Sequence, residues 1–95
     1  TGMSADVYAL YKAVESISGT SASVAECQAL AEKAVEMYTD SNLAPKLWHK
    51  KDGVRKELRQ RVRKAAHAMG FKQLKELPIE LEQMAIKRFA GNDYE

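Results

Sequence analysis

Between Val54 and Met69 the apolar residues Val54, Leu58, Val62, Ala65, Ala66 and Met69 recur every three or four positions, and most of what separates them is charged. That spacing puts the six on one face of an α-helix, because about 3.6 residues complete a turn. A half-buried strand would need strict alternation, which is missing here. The segment is therefore expected to be an amphipathic helix with a single buried side. Asp52 reads as its N-cap, and Gly70 as the residue just past its last turn, where glycine accepts a left-handed backbone.

The other side of this helix concentrates the positive charge of the chain. Eleven of the fifteen Lys and Arg residues lie between Lys46 and Lys75, against only Asp52 and Glu57, so the stretch carries +9. Residues 1–45 carry −4 and residues 76–95 carry −3, which brings the formal net charge down to +2. A cationic face between acidic flanks suits a surface that meets phosphate or an acidic protein, a solvated helix face being the plain alternative. Arg55, Arg59 and Arg63, spaced four apart, are expected to form one ridge, widened by Lys56, Arg61 and Lys64. Guanidinium groups at that spacing can meet successive phosphates, or the carboxylates of a partner helix, in bidentate fashion. The helix has no accompanying surface aromatics for base stacking, and Gln60 is its one amide side chain. Any nucleic-acid contact is therefore expected to follow the backbone irrespective of sequence.

The remaining periodic segments are also helical. Val7, Leu10, Tyr11, Val14 and Ile17 mark a first helix over 4–17, ended by Ser18-Gly19-Thr20-Ser21. Ser23 and Glu26 form a Ser-x-x-Glu capping box that opens a second helix over 24–39, with Val24, Cys27, Leu30, Ala31, Ala34, Val35 and Tyr38 facing inward. Asp40-Ser41-Asn42 stops it, and Pro45 keeps the linker out of a helix. Trp48, the one tryptophan, makes that linker a segment packed over the core, since leaving the ring exposed forfeits about 2 kcal/mol or more. After the basic helix, a short turn over 71–76 leads to a last helix over 79–90, with Ile79, Leu81, Met84, Ala85, Ile86 and Phe89 as its apolar set and Gly91-Asn92-Asp93 as its stop.

The chain thus reads as all-α, a small bundle of about four helices with a basic third helix. Ninety-five residues make one domain, expected to bury about 60 to 65 % of its unfolded surface. Its boundaries are read as 4–91, with Thr1-Gly2-Met3 a cloning remnant on an internal methionine of a longer polypeptide and 92–95 a tail. The core is expected to comprise Leu10, Val14, Leu30, Val35, Trp48, Leu58, Val62, Leu81 and Phe89. Apolar runs are too short to span a membrane.

Catalytic chemistry is not expected of this piece. His49 and His67 lie on different elements with no nearby cysteine or paired carboxylate, so no metal site is foreseen, and His67 reads as a half-buried helix residue. Cys27, the single cysteine, falls on an inward stripe where a small hydrophobe fits, which favours an inert thiol and a reducing compartment such as the cytoplasm. Glu80 and Glu82, two apart, point to different helix faces and do not make a carboxylate pair. No glycine-rich phosphate loop occurs, so neither a catalytic residue nor a cofactor or small-molecule site is assigned.

The order of these features resembles a known family. Tyr8-Ala9-Leu10-Tyr11 on the first helix, an Ala/Glu-rich second helix, Trp48 ahead of Val54-Arg55-Lys56-Glu57-Leu58-Arg59-Gln60-Arg61-Val62-Arg63-Lys64, and the stop Met69-Gly70-Phe71 resemble the C-terminal helical domain of the restriction (motor) subunit of type I restriction-modification enzymes. The resemblance spans roughly residues 5–90, departing at Ala65 and Ala66, where the family usually has bulkier aliphatics, and in the linker at Pro45. It implies a parent that couples ATP-driven DNA translocation to cleavage, with ATP and Mg acting in nuclease and helicase domains upstream. It further implies that this domain helps dock the motor subunit on the methyltransferase-specificity core. A DNA-backbone contact along the translocation path and a structural prop for the helicase lobes are the alternatives within the same family. Residues expected to carry the contact are Arg55, Lys56, Arg59, Arg61, Arg63 and Lys64.

Overall fold

The first two helices start, and the third stops, where local chemistry satisfies orphan backbone groups. In the computed structural model, which describes residues 2–90, four α-helices are present: α1 (Ala5–Ser18), α2 (Val24–Thr39), α3 (Asp52–Ala68) and α4 (Glu76–Phe89). Ser4 caps α1 by accepting the Val7 N–H at 3.2 Å. Ser23 and Glu26 make the reciprocal capping box of α2, with bonds of 2.8 and 3.1 Å. Past Met69 the chain turns through Gly70 at φ 90°, while the Gly70 N–H reaches the His67 carbonyl and the Phe71 N–H reaches that of Ala66. That pair of bonds is the Schellman arrangement, and it turns Phe71 back into the core, where it is 6 % exposed.

Packing follows the buried stripes. α2 and α4 form the centre and touch all the other helices; α1 packs on both from one side and α3 from the other. Arg88 near the end of α4 pairs with Asp6 near the start of α1 at 3.0 Å, so these two helices run antiparallel. The core gathers Leu10, Val14, Leu30, Leu58, Val62, Leu77 and Leu81, all fully enclosed. Trp48 joins it at 3 % exposure, its ring 4.9 Å from that of Tyr38, so the linker is packed as expected. The linker reaches this position through an Asp40 side-chain turn onto the Asn42 N–H, then a turn closed by the Trp48 N–H on the Pro45 carbonyl, then a single 3₁₀ turn over Trp48–Lys50. Leu47, at φ 62°, is the non-glycine residue with a left-handed backbone among those described, a cost of about 1 to 2 kcal/mol that burial of the neighbouring indole offsets.

Several expectations need correction. Val24 is 61 % exposed and Val35 only half-buried, because the two lie eleven residues apart, about three turns, and so share one edge of α2, while the buried stripe is rotated towards Met37. Asp52 is not the N-cap of α3; Lys51 holds that position without a side-chain bond, and Asp52 pairs with Arg55 one turn on. The expected turn is present at residues 74–75, closed by the Leu77 N–H on the Gln73 carbonyl, but it runs straight into α4. That helix begins at Glu76, three residues early, since Pro78 sits in its first turn, where its missing N–H would be unpaired in any case. Ile79 is 55 % exposed, Phe89 is half-buried, and His67 is exposed on the far side of α3. Met3, set aside with the leading residues, packs half-buried against the core. The proposed stop at residues 91–93 and the tail at 92–95 lie outside the described residues.

Two substitutions test this frame. Leu58→Ala should cost about 2 to 5 kcal/mol, read as a drop of many degrees in thermal melting followed by circular dichroism. Gly70→Ala meets no steric obstacle, so its expected loss of about 1 to 2 kcal/mol comes from the left-handed backbone alone and should be visible in urea denaturation.

Candidate interaction surface

The expected ridge of three arginines divides, and helix geometry explains the division. A step of four residues advances about 40° beyond a full turn. Starting beside Leu58, the series Arg55, Arg59, Arg63 therefore rotates from the edge of the buried stripe out to solvent. The Arg55 side chain is 28 % exposed and paired with Asp52; that of Arg59 is 32 % exposed and reaches Glu82 at 2.6 Å; Arg63 is exposed. Arg61, on the opposite flank, holds Glu57 at 3.2 Å. Of the six cations expected to meet a partner, Lys56, Arg63 and Lys64 are exposed and have no ion-pair partner among the described residues.

The Arg59–Glu82 contact joins α3 to α4. Glu82 falls on the inward stripe of α4 with Pro78, Leu81 and Ala85, and it is the buried charged residue of the described chain, at 4 % exposure. A carboxylate removed from water is strongly penalised unless a cation and hydrogen bonds replace the lost solvent. Arg59 supplies both. Nearby, the Tyr38 hydroxyl is buried without a hydrogen-bond partner among the described residues. Burial first, and then the Glu82 carboxylate, push the Tyr38 phenol well above its ordinary pKa, with Arg59 opposing them. One residue each from α2, α3 and α4 thus meet around a single buried charge. Glu80, two residues from Glu82, is exposed, so the two carboxylates do lie on different faces.

The spacing of Glu80 and Glu82 separates their faces without showing that Glu82 is the buried one, although the sequence holds a signal for it. Residues 78, 81, 82 and 85 follow the helical stripe, so an acidic residue at 82 needs an internal cation. Arg59, one turn beyond the already half-sheltered Arg55, was the available one.

Beside this contact lies a shallow groove of about 300 Å³. One wall is the stripe Lys56, Arg59, Gln60 and Arg63 of α3; the other is Leu74 and Lys75, just ahead of α4, with Pro78 and Ile79 of its first turns. No acidic residue lines it. The exposed Ile79 also borders a second depression with Ile17, Lys75, Glu76 and Glu80. Among the described residues no three His, Cys, Asp or Glu side chains converge as a metal site requires. Cys27 is enclosed against Ser18, with 3.4 Å between sulfur and hydroxyl oxygen.

Because Arg59 is bound internally, it should behave unlike the exposed cations. Arg59→Met should cost about 1 to 3 kcal/mol, below the range for a fully enclosed pair because the guanidinium is partly solvated. Glu82→Leu in the same chain should recover most of that loss in a urea-denaturation double-mutant cycle; strictly additive losses would show that the pair is not coupled.

Compared with known protein families, curated proteins and solved structures, the chain matches none.

Proposed function

We propose that this chain is a non-catalytic docking domain whose basic α3 face binds an acidic protein surface. The observation that carries the reading is the company its uncommitted cations keep. Lys56 and Arg63 stand on one wall of a groove whose other wall holds the aliphatic Leu74, Pro78 and Ile79, the last 55 % exposed. Exposed apolar surface beside unpaired arginine suits a desolvated protein interface, in which arginine and apolar side chains are enriched. In the terms set by the resemblance, the domain docks a type I restriction motor subunit on its methyltransferase-specificity core in the cytoplasm, while ATP and Mg act in upstream domains. No helix among the described residues is long and apolar enough to cross a membrane.

The row of Lys56, Arg63 and Lys64 along α3 also supports a second reading, sequence-independent contact with the DNA backbone. One set of variants separates the two. Reversing these three charges to Glu should leave melting nearly unchanged, since exposed charges contribute about 0 to 1 kcal/mol each. In the full-length subunit it should weaken assembly with the methyltransferase core at least about tenfold, because like charges then face each other. Normal assembly with loss of duplex binding would transfer the assignment to DNA. So would wild-type duplex binding whose log affinity falls with log salt by about 0.9 per neutralised phosphate.

A further inference from the structure

We propose that the groove between α3 and the first turns of α4 receives one amphipathic acidic helix of a protein partner. An aliphatic side chain of that helix packs on Ile79, and its carboxylates face Lys56 and Arg63. The inference rests on the docking reading and gives it a location and a partner chemistry. Lys56, Gln60 and Arg63 lie at intervals of four and three, so they form one continuous stripe along a groove wall. Once Arg59 is neutralised by Glu82, the groove retains three cations, Lys56, Arg63 and Lys75, with no lining carboxylate to oppose them. Its apolar element is aliphatic, from Leu74, Pro78 and Ile79, and offers no ring for a nucleobase to stack on.

Charge polarity selects between macromolecules as well. On the other side of Ile79, Glu76 and Glu80 border the second depression. A nucleic-acid strand laid over Ile79 would bring phosphates against those carboxylates. A helix can carry carboxylates along one edge of an aliphatic seam and a basic or neutral residue along the other, which matches both rims at once. The partner surface is therefore expected to be polarised across its seam, acidic towards α3 and not towards α1.

The test is selection of helix-forming peptides from a display library on the 95-residue chain. Amide chemical-shift mapping of the enriched sequences and titration against Ile79→Ser and Arg63→Glu variants follow. Both positions are exposed, so unchanged melting curves serve as the folding control. The expected result is enrichment of sequences with aliphatic residues three or four apart and Asp or Glu along one edge. Their shifts should centre on residues 56–63 and 74–79, and either substitution should weaken binding about tenfold or more. Acidic peptides that bind along Lys64 and are indifferent to Ile79→Ser would overturn the groove while leaving an acidic partner in place. Enriched sequences without acidic residues, no enrichment at all, or displacement of the peptides by a short DNA duplex at equal concentration would overturn both.

Discussion

Glu82 is the constraint around which the packing of α3 on α4 is arranged. A carboxylate on the inward stripe of α4 must be met by a cation from within the molecule, and the cation that meets it comes from the helix with the greatest excess of charge. The contact fixes the rotation of α3. With Arg59 held at Glu82, Leu58 and Val62 are turned fully into the core, and Lys56, Arg63 and Lys64 are left outside. The surface available to a partner is thus what remains after one arginine has been taken inward. Replacing such a pair by apolar residues is often neutral for stability.

A second constraint acts at the crossing from α2 to α3. The chain must leave a helix, pass a proline, bury its tryptophan and enter another helix within the span between Thr39 and Asp52. The left-handed Leu47 is the local cost of doing so, and the Tyr38–Trp48 contact is what makes the route preferable. The linker is therefore part of the core, continuous with the stripe of α2.

Much of this architecture was legible in the order of residues, and the reasons are local. The stripe Leu58, Val62 and Ala66, the Ser23–Glu26 box and the Gly70 stop each depend on neighbours within a turn or two, so periodicity and capping chemistry reveal them. What escaped depends on partners far along the chain. The stripe of α4 places Glu82 inward, but the cation that meets it stands twenty-three positions earlier, and Arg59 is lost to the outer surface for that reason. Val24 and Ile79 are apolar at helical spacing yet exposed, since which edge of a helix is covered is decided by the helices beside it. The basic helix was visible as an element, but the division of its arginines between structure and surface required the position of α4.

α1 and α3 lie on opposite sides of the central α2–α4 pair. The segregation of charge along the chain is carried into the fold helix by helix: α3 holds +4, while α1, α2 and α4 hold −1, −2 and −1. A body of 39 × 27 × 18 Å with its positive charge gathered on one helix carries a permanent dipole whose cationic end is at α3. In the field of an acidic surface such a dipole experiences a torque before any contact is made, and the cationic side rotates forward. Encounters then begin near the productive orientation, so the fold acts on the rate of association and on its sensitivity to ionic strength as well as on the bound state.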